Sequence, residues 1–188
     1  MDLPEIFGVV MDSKPMPNGQ SEVSLRKMGN QWSLKFGAFS RVVQLPKVND
    51  GKILHVTQVG NATNILLQTS TAKCAAEFSL VSLNHGSEVA VWTLNVPCGF
   101  PAPEIQTGLQ EQFIDFTVGH RVSRFIYRNG KLTRNSDVIL RPGFTLPKPI
   151  GAQSLPSDVV RRPYYPQLPF APSREQLQQR PAPERFTP

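Results

Sequence analysis

Apolar and polar residues alternate with a period of two over much of the first 140 positions, the pattern of half-buried strands. Val23 and Leu25 alternate with Ser24 and Arg26, and WSLKFGAF (32–39) and 41–46 read as further short extended pieces. Asn49-Asp50-Gly51 is a strong turn signal before KILHVTQVG (52–60), a stretch rich in β-branched residues. The threonine-rich 63–71 fits strand or loop. AEFSLVSL (76–83) places Ala76, Phe78 and Leu80 on one face, and EVAVWTLNV (88–96) places Ala90, Trp92, Leu94 and Val96 on one face, the clearest core strand in the chain. Three prolines exclude a central strand from the connection 97–110. The alternation resumes in FIDFTV (113–118) and VSRFIYR (122–128), and Asn129-Gly130 signals a two-residue type I′ hairpin. A short VIL (138–140) closes the pattern before Pro142-Gly143.

These elements predict about eight short strands joined by regular turns. The expectation is an all-β, eight-stranded jelly-roll sandwich over residues 21–150. Immunoglobulin-like and galectin-like sandwiches fit the same pattern. Residues 1–20 read as an extended N-terminal arm, broken by Pro4, Pro15, Pro17 and Asn18-Gly19. Residues 151–188 read as a proline-rich extended tail. Eleven of the eighteen prolines lie from Pro142 onward, and Pro163, Pro166, Pro169 and Pro172 recur every three residues, the polyproline II period. That period leaves Tyr164, Tyr165, Leu168 and Phe170 to project as a clamp on a neighbouring subunit. Ser173 and Gln176 frame a capping box, so one or two helical turns are expected after it. Pro169 to Arg174 also fits a PxxPxR ligand, a weak match in so proline-rich a tail.

A charged fraction of 18% is below the globular norm and suits a chain that buries surface against partners. The net charge of +6 is concentrated in one place. Arg121, Arg124, Arg128, Lys131, Arg134, Arg141 and Lys148 are opposed there only by Asp137. Arg124, Ile126 and Arg128 share a strand face. Two readings follow: contact with the phosphates of single-stranded RNA by Arg121, Arg124, Arg128, Lys131 and Arg134, or a strand face held by salt bridges within or between subunits.

Candidate chemistry is sparse. His55, His85 and His120 are isolated in sequence, no zinc-ligand spacing occurs, and there is no nucleophile elbow or phosphate loop. No catalytic residue, metal site or cofactor is expected, and the protein reads as a non-enzyme; a spatial pair such as Cys98 with His120 is the alternative to that reading. Cys74 and Cys98 are too few for a disulfide framework, so reduced thiols in a cytosolic setting are expected. No apolar run is long enough to span a membrane, and MDLPEIFGVVMDSK does not read as a signal peptide. Asn61-Ala62-Thr63 matches a glycosylation sequon, which without a secretion signal is read as chance.

Several segments, in their order and spacing, resemble the small capsid subunit of comoviruses and related secovirids. They are SEVSLRK, QWSLKFGAFSRVVQLPKVNDGKILHVTQVGNAT, KCAAEFSLVSLN, GSEVAVWTLNV, FIDFTVGH, VSRFIYRNGKLTR and SDVILRPGFTLPKP. The resemblance covers about residues 20–149, and size and layout look closest to the smallest capsid protein of the cheravirus group. It implies a structural capsid subunit of an icosahedral, positive-strand RNA plant virus, released from a polyprotein. The implied partners are two different jelly-roll chains, symmetry copies and the genomic single-stranded RNA, with no membrane. The implied locations are the virion and, during assembly, the host cytoplasm. Two rivals are a galectin-like carbohydrate-binding protein using His120, Arg124 and Trp92, and a viral accessory RNA-binding protein.

Overall fold

The computed structural model describes residues 8–19, 21–37, 42–84 and 88–152. They hold thirteen strands and no helix, arranged as three antiparallel sheets. The first sheet is the meander β1 (Val9–Pro15), β2 (Glu22–Met28), β3 (Gln31–Phe36), β4 (Val42–Leu45). The second is β5 (Asp50–Val59), β6 (Ala62–Ser70), β7 (Glu77–Asn84), β8 (Val89–Leu94). The third runs in the order β12 (Lys131–Arg134), β11 (Arg121–Arg128), β10 (Glu111–Val118), β9 (Glu104–Thr107), and β13 (Val138–Ile139) pairs with the start of β11.

The all-β expectation holds, and the arrangement differs from the expected one. The described strands form three consecutive meanders instead of eight strands in two sheets. Their burial explains why. In β6, Ile65 and Leu67 pack with Val23, Leu25, Trp32, Leu34 and Phe36 of the first sheet. Ala62 and Leu66 of the same strand pack with Ile114, Phe116, Phe125 and Tyr127 of the third. In β7, Val81 and Leu83 face the first sheet while Phe78 and Leu80 face the third. The second sheet is therefore a middle layer buried on both faces, and a strand with two buried faces reads as a continuous apolar run. The ambiguous 63–71 is such a strand.

Other differences are local. Residues 9–15 of the expected arm form the edge strand β1, paired with β2 through a bulge at Met11. Pro15 fits because it ends an edge strand, where a missing N–H costs least. The connection 97–110 contains β9, which begins just after Pro103 and pairs with β10. β8 is an edge strand of the second sheet: Leu94 is buried, whereas Ala90 and Trp92 are only half-buried. The Asn129-Gly130 hairpin is as expected, with φ of 51° and 73° at its two residues. Cys74 and Cys98 are joined as a disulfide with Cα atoms 5.5 Å apart, in place of the expected reduced thiols. The bond pins the approach to β7 against the connection after β8. Tyr164, Tyr165, Leu168, Phe170, the three-residue proline period and the expected helical turns lie outside the described residues, as does His85.

Candidate functional site: the outer face of the third sheet

The basic stretch lies on β11, β12 and the segment that follows, and its charges point to different places. Strand β10 pairs with β11 about the Gly119-His120 turn, so Asp115 stands opposite Arg124 and Glu111 opposite Arg128. All four side chains lie on the face of the third sheet turned away from the second, since Ile114, Phe116, Phe125 and Tyr127 occupy the other face.

Arg124 is 4% exposed. Its Nε donates to Asp115 Oδ1 at 2.7 Å and its Nη2 to Asp115 Oδ2 at 2.6 Å, a bidentate pair. Its Nη1 donates to the Pro147 carbonyl at 2.6 Å, and the guanidinium carbon lies 4.5 Å from the Phe113 ring centre. Glu111, also buried, accepts from Arg128 through Oε2 and from the Ile150 N–H through Oε1 at 2.8 Å. Burial pulls the Glu111 carboxyl upward, but the Ile150 N–H and Arg128 outweigh it and hold it below the ordinary value. The Leu109 N–H donates to the Ile150 carbonyl. A Cβ at Gly108 would lie 2.3 Å from that carbonyl oxygen, so only glycine lets the backbones approach there.

The two ion pairs thus hold residues 147–150 as a strap across the sheet. This buried, doubly bonded guanidinium cannot meet a phosphate without surrendering Asp115. Arg128 keeps an exposed side chain beside its partner. Arg134 is spent on Asp137 at 3.2 Å, on the Asn95 carbonyl at 2.9 Å and on the Phe125 ring. The Ser123 hydroxyl, ahead of Arg134 and Arg121, holds the Asp137 carboxyl below its ordinary value. Arg121 and Lys131 are exposed. Of the five arginines and lysines expected to contact RNA, the structure brings three into internal ion pairs and leaves two standing in solvent.

Sequence reasoning missed Glu111 and Asp115, because their partners lie on the next strand and meet them only once the register is set. The available signal was spacing: acids four residues apart on one strand and arginines four apart on the next, placed symmetrically about a tight turn.

The rival constellation does not assemble. Trp92 packs edge-on to Tyr127, with ring centres 5.9 Å apart between the second and third sheets, while Arg124 lies on the far face of the third. His120 sits in the exposed β10–β11 turn, and Cys98 is engaged with Cys74. His55 lies on the bulged part of β5, where burial and then the Lys14 charge lower its pKa. Between the second and third sheets, Asn64 Nδ2 donates to Gln112 Oε1 and Gln112 Nε2 to Thr57 Oγ1, and the Ser82 and Tyr127 hydroxyls share a 2.8 Å hydrogen bond. No group of metal-ligating side chains occurs among the described residues, and no helix there is long and apolar enough to cross a membrane.

A different surface is open. On β1, Val9, Val10 and Met11 are 68%, 46% and 47% exposed. Further along β1, Asp12 accepts the Ile53 N–H at 2.7 Å and ties this edge to the start of β5. Comparison of the chain with family models, with curated proteins and with solved structures returns no match.

Proposed function

We propose that this chain is a structural subunit that works by associating with other protein chains. The observation that carries this reading is the β1 edge. Three consecutive large apolar side chains on an edge strand are a liability for an isolated protein and an asset for one whose edge is always covered. The secovirid resemblance supplies the specific form: an icosahedral capsid subunit of a positive-strand RNA plant virus, assembling with two other chains around the genome, in the virion and first in the host cytoplasm. This form draws its support from that sequence resemblance and from the open edge. The described strands are not an eight-stranded jelly roll, so the fold adds nothing to it. Of the five basic residues expected to contact RNA, Arg121, Lys131 and the outward side of Arg128 would be the ones free to do so in such a shell. Cys74 and Cys98 would close on leaving the reducing cytosol, since disulfides persist at virion surfaces.

Sedimentation velocity and electron microscopy of the full chain, alone and co-expressed with candidate partner chains, test the proposal. Association beyond the monomer is expected, with closed shells in the capsid form. A chain that stays monomeric at tens of micromolar and enters no assembly would refute it.

A further inference from the structure

The geometry points to a groove at one end of the second and third sheets as a binding site for a short neutral oligosaccharide. Its residues include none of the β1 edge, so the inference does not rest on the assembly reading and is compatible with it. The groove holds about 360 Å³. Its walls are the β5–β6 turn with Asn61, the end of β7 with Asn84, Gln110 just before β10, and the β11–β12 turn with Asn129, and Tyr127 lies beneath. That volume falls within the range of small-ligand sites, about 300–1,000 Å³.

Local contacts fix these walls. The Gly60 N–H donates to the Leu109 carbonyl at 2.7 Å, which holds the β5–β6 turn beside Gln110. Asn84 Nδ2 lies 3.9 Å from where a Cβ would stand at Gly130, so the end of β7 and the β11–β12 turn converge. The Tyr127 hydroxyl is engaged with Ser82, which keeps the ring in place as the floor. The side-chain amides of Asn61, Asn84, Gln110 and Asn129 make no hydrogen bond to another described residue. Each amide both donates and accepts. Adjacent sugar hydroxyls do the same, one accepting from the amide NH₂ while its neighbour donates to the amide oxygen.

Charge and backbone decide against two other ligands. None of the groove-lining residues is charged. The cations nearest along the β11–β12 hairpin, Arg128 and Lys131, pair across it and so share the face opposite Tyr127 and Leu132. A nucleotide's phosphate would therefore meet no cation in these walls. An extended peptide is recognised through backbone groups along a strand edge, whereas here the Gly60 and Asn84 N–H groups are already bonded within the chain.

The test is heteronuclear NMR of the full chain, following the side-chain amide signals while cellobiose, lactose, mannobiose and diacetylchitobiose are titrated one at a time. At least one disaccharide is expected to shift the Asn61, Asn84, Gln110 and Asn129 signals saturably. Asn61→Ala and Gln110→Ala remove exposed side chains without a described partner. Each should leave the chain folded and weaken binding about 2- to 10-fold, the worth of one hydrogen bond. Arg121→Ala with Lys131→Ala should leave binding unchanged. Silence of these amides towards every disaccharide would overturn the proposal, as would unchanged affinity in the Asn61→Ala, Gln110→Ala double variant. Shifts of the same amides by a uridylate oligonucleotide and by no sugar would also overturn it, in favour of nucleic acid. Sugar binding by a chain that stays monomeric would uphold this site while refuting the assembly reading.

Discussion

The outer face of the third sheet and the β1 edge of the first look, in sequence, like the wrong halves of one another. The former holds the basic stretch in which the net charge is concentrated, and the latter is a proline-flanked apolar stretch. In the folded chain Arg124 is buried, Arg128 and Arg134 are paired with carboxylates of their own chain, and the apolar residues of β1 face outward. Arg124 and Glu111 are consumed in holding the 147–150 strap, whereas Val9, Val10 and Met11 keep about half or more of their surface exposed. A local excess of charge is therefore not a charged surface until the pairing register is known, because a cross-strand partner can neutralise it.

The sharpest way to break this contrast is to remove a buried charge. Arg124→Ala should destabilise the fold by about 3–5 kcal/mol, since it strands the Asp115 carboxylate in a buried site. Chemical denaturation measures it, and a loss below about 1 kcal/mol, the range of an exposed pair, would mean that Arg124 faces water after all. Glu111→Ala should cost about 1–3 kcal/mol by unpairing the Ile150 N–H and Arg128. Faster proteolysis between residues 140 and 152 should accompany it.

The same carboxyl has a pH signature. Its pKa is depressed on folding, so its contribution is present above the ordinary value of 4.5 and is lost as pH falls through the folded value. His55 is likewise depressed from 6.5, so protonation favours the unfolded chain and stability declines as pH drops below 6.5. Acid unfolding should therefore begin with a His55 limb, removed in His55→Gln, and continue with a Glu111 limb, removed in Glu111→Ala. On the open side, Val10→Lys should change stability by less than about 0.5 kcal/mol, as substitutions of exposed residues do.

The all-β class and the Asn129-Gly130 hairpin were legible because alternation and turn residues are local signals. The three-layer arrangement was not, for a physical reason. A middle sheet buried on both faces loses the alternation by which a strand is recognised, as in the Ile65-Leu66-Leu67 run. Trp92 gave the clearest alternation and sits on an edge strand, since period-two patterning marks one covered face and not centrality. The clasp needed register: Arg124 and Asp115 are nine residues apart and meet only across the turn. The disulfide needed tertiary proximity across 24 residues.

The contrast between the closed charged face and the open apolar edge is tested most directly by sedimentation velocity of two variants beside the wild-type full chain. Val10→Lys should abolish association while the Arg121→Ala, Lys131→Ala double variant keeps it. Retained association in Val10→Lys with loss in the double variant would contradict the assignment of the two surfaces.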